Sequence, residues 1–304
     1  MIATQFAVCT ARCAMRACWG VVLVVSASTA LAQAPVFPDI VNSLGFEAPA
    51  FDTTFGPGGP GTGTGQLEGQ TPSTFNGTWL RTKGPGLSTA DVQNSVFKSG
   101  SQAVKVTKAP NSDDRWGVLV GGYPAGDYIC ISWDMRVEQT VGPPDSFGPF
   151  FGMEAYDTDS ASIGLLGSLG VDATTGDVLY QQQTTGFLAE TGAVVQFGAW
   201  NHFMVQLDYV NKQYSYFLNF ALLGVEGFVD EFNVVGGLNE FTDANISALA
   251  AAGDPASQAL TGIAYFDNFV VVEGICIPEP ASAAMGMLAL TGLAALRRGR
   301  RSAG

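Results

Sequence analysis

Histidine is nearly absent: the 304 residues include one. That excludes metal centres built on several histidines and any mechanism that needs a second imidazole. Positive charge is also scarce, with 14 Lys and Arg against 27 Asp and Glu and a net charge of −13. Nucleic-acid backbones and anionic lipid surfaces are held by basic faces, so neither is an expected partner. No repeat period is evident, and no interior segment is long and apolar enough to cross a membrane. What is plentiful is apolar: 47% hydrophobic residues, 38 glycines and 20 phenylalanines, too apolar and aromatic for wholesale disorder. The length allows two domains or one large β-sandwich.

Both ends read as processing segments rather than fold. Residues 1–38 contain no acid, carry Arg12 and Arg16, run apolar from Trp19 through Val25, and end in Ala30-Leu31-Ala32. This is secretory-leader grammar, with cleavage by signal peptidase expected after Ala32, and after Ala34 as the alternative. At the other end Pro278-Glu279-Pro280 precedes an uncharged run from Ala281 to Leu296, followed by Arg297, Arg298, Arg300 and Arg301. Apolar side chains favour lipid, and the arginines hold the C-terminus on the cytoplasmic side. This order of tripeptide, transmembrane helix and Arg-rich tail resembles the PEP-CTERM sorting signal of Gram-negative bacteria. That resemblance implies an exosortase that cuts near the motif, transient anchoring in the inner membrane, and delivery to the cell surface or extracellular matrix.

The expected organisation is therefore a signal peptide at 1–32, a body at 33–277 and a sorting signal at 278–304. Without both ends the body keeps 8 basic residues against 26 acidic ones, a net charge of −18. That favours solubility outside the cell and attraction for divalent cations. Cys9, Cys13 and Cys18 lie in the leader, so Cys130 and Cys276 remain as an even pair. An oxidising compartment permits a bond between them; two unpaired thiols are the alternative.

Within the body the hydrophobic period is two. Ile129, Ile131, Trp133, Met135 and Val137 point one way, and Phe203, Val205, Leu207 and Tyr209 do so in a second segment. Further strands are expected at 102–108, 150–156, 163–171, 213–220 and 262–273, separated by turn signals at 172–177 and 210–212. The fold class is all-β, an antiparallel β-sandwich. One stretch reads as helical, capped by Thr242 or Asp243, carrying Ile246 and Leu249, and ended by Gly253. The glycine-rich segment 56–65 reads as a flexible loop.

Four features in order, Gly45-Phe46-Glu47, Gly198-Ala199-Trp200-Asn201-His202-Phe203 leading to Asp208, Tyr216-Phe217-Leu218-Asn219, and Tyr265-Phe266-Asp267-Asn268, resemble LamG-like, concanavalin A-type jelly rolls. The resemblance spans nearly the whole body and implies first and last strands side by side. It departs at Asn219, where Phe220 stands in place of the usual glycine, so a rebuilt turn is expected. By the same resemblance Glu47 and Asp267 are candidates to hold a structural calcium ion; the competing expectation is that both bond backbone amides.

Other candidates are weighed on the residues. Asp157 and Asp159 with Ser160, and Asp172 and Asp177, are acid-rich turns whose Asp side chains also cap their own amides. Glu154, Asp157 and Asp159 fail the paired-carboxylate pattern of sandwich glucanases, because alternation places Asp157 opposite Glu154. Trp200 and His202 are expected on an exposed sheet face, where they would meet sugar. Trp79, Trp116, Tyr123 and Tyr180 are stacking candidates whose competing duty is the core. Asn76 and Asn245 match a glycosylation acceptor by chance. The expectation is an exported, non-enzymatic surface or matrix protein making structural or exopolysaccharide contacts. A calcium-dependent lectin-like module and a polysaccharide hydrolase or lyase are the alternatives.

Overall fold

The computed structural model describes residues 39–276 apart from 73–76, 121–122, 125, 144–146 and 159–162. The leader at 1–32, the sorting signal at 278–304, Asn76, Asp159 and Ser160 lie outside the described residues. Among the described residues no helix is long and apolar enough to cross a membrane.

The strands run in chain order β1 (Asp39–Asn42), β2 (Trp79–Lys83), β3 (Thr89–Gln93), β4 (Ala103–Lys108), β5 (Asp114–Val118) and β6 (Tyr123–Pro124). Then come β7 (Tyr128–Val137), β8 (Phe150–Asp157), β9 (Gly164–Asp172), β10 (Asp177–Gln181), β11 (Leu188–Val194) and β12 (Trp200–Asp208). The chain continues through β13 (Gln213–Leu218), β14 (Ala221–Gly227), β15 (Glu240–Phe241), β16 (Asp243–Leu249), the short helix α1 (Pro255–Ala259) and β17 (Gly262–Glu273).

Two antiparallel sheets carry the body. An eight-stranded sheet has the order β14-β13-β12-β7-β17-β4-β3 with β1 paired to β17; a seven-stranded sheet has the order β11-β10-β9-β8-β16-β5-β2. The period-two pattern decides which faces meet. Ile129, Ile131, Trp133, Met135 and Val137 of β7 are buried in the same core as Phe151, Met153 and Ala155 of β8 and Ala244, Ile246 and Ala248 of β16. This is a β-sandwich, and β1 lying on β17 makes its first and last strands neighbours.

Two local expectations are corrected. The segment expected to be helical is the strand β16, paired with both β5 and β8 in the middle of its sheet. Ala244, Ile246 and Ala248 alternate inward, and tertiary pairing overrides the helix propensity of its alanines. Helix comes only afterwards, in α1, where the Asp254 side chain accepts from the Ala256 amide. The glycine-rich segment is not a loose loop but a chain of bonded turns. The Gly56 and Gly59 amides bond each other's carbonyls, and the Gly63 amide donates to Thr54 at 2.9 Å. Gly65 lies so close to the Val92 carbonyl that any side chain would collide with it. Close packing there offsets the entropy that glycine loses on ordering.

The hairpin from β13 to β14 keeps a two-residue turn, which corrects the expected rebuilding. Asn219 and Phe220 both take left-handed backbone angles, φ 48° and 68°. A twisted hairpin needs positive φ at both positions, which asparagine tolerates and phenylalanine does not. The strain at Phe220 costs about 1–3 kcal/mol.

Candidate functional site

The outer face of the seven-stranded sheet departs from the usual exposed polar surface. Glu154, Asp243, Asn245 and Ser247 all turn away from the core, yet all are buried. Alternation places Glu154 and Tyr156 of β8 on this face, and pairing sets Asn245 of β16 opposite Glu154. Arg115 of β5 reaches across β16 to meet them.

The Arg115 guanidinium holds the Glu154 carboxylate through Nε and Nη2, and the Ser247 hydroxyl donates to the same carboxylate at 2.9 Å. Glu154 has 1% side-chain exposure and Arg115 13%. Burial works against the Arg115 charge, but Glu154 beside it more than restores it and holds the guanidinium above its ordinary range. Burial, reinforced by Glu154, pushes the Tyr156 hydroxyl well above its ordinary value, so this tyrosine is a neutral proton donor. Asp243 takes bonds from the Thr242 hydroxyl and the Asn245 amide. Burial raises its pKa, those bonds pull it back part of the way, and Glu154 adds to the rise.

This network opens into a cleft of about 440 Å³. Arg115, Glu154 and Gln181 supply its polar wall, and Phe147, Phe187 and Leu188 its apolar wall. Phe187 is 72% exposed. The sheet makes room for this arrangement at Gly152 and Gly170, which face each other across β8 and β9; a side chain at either would strike the Phe150 ring. Gln181 is held by its Nε2, which donates to the Gly186 carbonyl at 3.1 Å. Its Oε1 is buried with no hydrogen-bond partner among the described residues. Buried acceptors are rarely left so. The rim is fixed where the Ala250 amide donates to Asp113 at 2.8 Å.

The residues singled out from the sequence fall elsewhere or divide. Asp157 accepts from the Asn239 and Glu240 amides, away from the Arg115 network, so it does not pair with Glu154. The buried acid near Glu154 is Asp243, from the neighbouring strand rather than from the same one. The signal that pointed to it was the alternation of 243–249, which a helical reading conceals. Asp172 accepts from Gly148 and from Thr174, both amide and hydroxyl. Trp79 and Trp116 are core residues, and Tyr180 packs on the core against the Tyr216 ring. Asn245, one of the glycosylation matches, is buried at 1% exposure and closed to an enzyme.

Glu47 and Asp267 stand at one corner of the eight-stranded sheet, and both take amides from segment 98–102. Glu47 accepts from the Ser101 and Gln102 amides and the Ser101 hydroxyl. Burial raises its pKa, but these bonds bring it below the ordinary carboxylate range. Asp267 accepts from the Lys98, Ser99 and Asn268 amides, and its burial outweighs them and raises its pKa. Among the described residues no group of three or more His, Cys, Asp or Glu is placed to hold a metal ion.

Cys130 and Cys276 are joined by a disulfide, with Cα atoms 5.0 Å apart. It lies on the outer face of the eight-stranded sheet beside Met204, Phe217 and Val272. On the same face the His202 Nδ1 lies 3.1 Å from Asp134, whose other oxygen accepts from Asn268 at 2.8 Å. The His202 ring stacks on Phe220 at 4.7 Å, and Trp200 stands two residues away on the same face of β12.

No protein-family model matches the chain, and no curated protein matches it. Among solved structures it is similar to a cellulose induced protein, at 17% identity over 69% of this chain and 96% of that one, with a TM-score of 0.48. It is similar also to an endo-β-1,4-glucuronan lyase from the fungus Trichoderma reesei, at 10% identity over 64% and 96%, TM-score 0.43. A third likeness is to a sialidase, at 11% identity over 64% of this chain but only 17% of that chain, TM-score 0.44. These values describe fold and nothing finer. They nonetheless correct the expectation that the chain is not an enzyme: a lyase and a sialidase stand among the structures it matches, so a two-sheet body gives no ground for excluding catalysis.

Proposed function

We propose that this chain is an exported polysaccharide-directed protein of the jelly-roll kind, with its sugar site in the cleft on the outer face of the seven-stranded sheet. The observation that carries the reading is the buried Arg115–Glu154–Ser247 network opening beside Phe147 and Phe187. Sugars present apolar ring faces edged by hydroxyls, and a wall of rings opposite a few fixed polar groups complements both.

Cleavage of the bound chain is a second reading, favoured by the titratable groups around Glu154. Two carboxyl groups in different surroundings are what glycosidic chemistry uses, and burial raises the pKa of Asp243, the acid on the strand next to Glu154. The test is incubation with a panel of neutral and uronate polysaccharides, followed by detection of new reducing ends and unsaturated products. Binding or turnover that falls sharply in Glu154→Gln supports the cleft, whereas activity or binding unchanged in that variant refutes it.

Export and sorting rest on the leader and the Pro278-Glu279-Pro280 tail, with signal peptidase and an exosortase as processing partners. A disulfide between Cys130 and Cys276 suits an oxidising compartment and supports that route. Mass spectrometry of protein recovered from cells should find residues 1–32 and the arginine tail missing; an intact precursor in the cytosol would contradict it.

A further inference from the structure

Phe220 combines two properties that structure alone does not reconcile. Its backbone sits in the left-handed region, where glycine is unstrained and an aromatic residue is not. The residue is 54% exposed, so burial does not compensate the strain. What the position achieves is placement: the ring lies against His202, extending an aromatic ledge out from the sheet. Trp200 is two residues along β12, a separation of about 7 Å on the same face.

Polar groups edge this ledge. Asp134 engages the His202 Nδ1, so Nε2 is the ring nitrogen left for a ligand hydroxyl. Asn219 donates to the Asn201 side chain at 3.0 Å, and Asn268 links Asp134 to Ser99. Flat rings bordered by amides and a carboxylate suit the face and hydroxyls of an uncharged sugar. Asp134 opposes a polyanion here, and the charge of Arg136, which pairs with Trp200 across from β7, is already met by Glu138.

We propose that Trp200, His202 and Phe220 form a second carbohydrate site, which stacks uncharged pyranose rings on the outer face of the eight-stranded sheet. The cleft proposed above lies on the outer face of the other sheet. One molecule therefore holds polysaccharide on both sides and links separate chains, the bivalent part of this inference resting on the cleft reading. Two sites on opposite faces cannot share one short strand of sugar, so the gain is cross-linking rather than tighter binding to a single chain.

Phe220→Gly tests the ledge without endangering the fold, because glycine is the residue that the turn favours. The purified full chain, Phe220→Gly, Trp200→Ala and Glu154→Gln are each mixed with insoluble cellulose, chitin and xylan, and the bound fraction and thermal midpoint are measured. The expected result is a Phe220→Gly midpoint no lower than that of the parent, with affinity for at least one polymer weakened about tenfold, and a like loss in Trp200→Ala. Loss in these two with Glu154→Gln unaffected supports the ledge and shows that these polymers are not held through the cleft. Loss only in Glu154→Gln overturns the ledge and leaves the cleft standing. Retention of the parent protein on none of the polymers overturns the ledge as well.

Discussion

The two outer faces of this sandwich are stabilised in different ways. On the seven-stranded sheet, charged and polar side chains are buried and satisfy one another around Glu154, under a cleft. On the eight-stranded sheet, a covalent bond from Cys130 to Cys276 fastens the segment that follows β17, and His202 and Phe220 lie partly open beside a buried Asp134. The first face is costly to form and costly to disturb, because each buried group depends on its partner. The second tolerates change at single positions, because its stability comes from a link made once.

That contrast breaks first at the disulfide. The bond closes a separation of 146 residues, and its removal in Cys130→Ser/Cys276→Ser should cost about 4–5 kcal/mol in the loop-entropy account, read as a lower denaturant midpoint under non-reducing conditions. Next comes Arg115→Met, which leaves Glu154 buried without its cation. The expected loss is about 3–5 kcal/mol, and Arg115→Met/Glu154→Leu should recover most of it. A double variant as unstable as the single one would show that the pair is not the source of the cost.

A smaller effect appears with pH. Asp243 has a folded-state pKa above its unfolded value, through burial and then Glu154. The folded state thus binds more protons than the unfolded one in the interval between the two values. The stability contribution from Asp243 is fully present below the unfolded value and is lost as pH rises through the folded one. Asp243→Asn should therefore gain on the parent as pH is raised from about 4 toward neutrality, and a midpoint difference that stays flat across that range would contradict the assignment. The smallest effect belongs to the other face: Phe220→Gly should leave stability unchanged or raise it by up to about 1 kcal/mol, because strain relief offsets the lost stack.

Much of the architecture was legible from alternation. The inward sets of β7 and β12 stand where the sequence places them, because both strands face one core and their period is unbroken. The short edge and loop-flanked strands, such as β2 and β5, carry too few alternations to register. At β16 the same code was present in Ala244, Ile246 and Ala248, but small residues and a capping aspartate also fit a helix, and only pairing with β5 and β8 decides between them. The cleft was illegible for a related reason. Its residues come from β5, β8, β10 and β16, distant in sequence, and alternation relates Glu154 only to residues of its own strand, not to those across on the next.

Hydrogen–deuterium exchange of the full chain, with and without soluble oligosaccharides drawn from the polymers it retains, examines the sugar-binding cleft most directly. Slower exchange at 181–188 and 249–252, the segments that border Arg115 and Glu154, is the predicted result. Unchanged exchange there in the presence of a saturating oligosaccharide would contradict it.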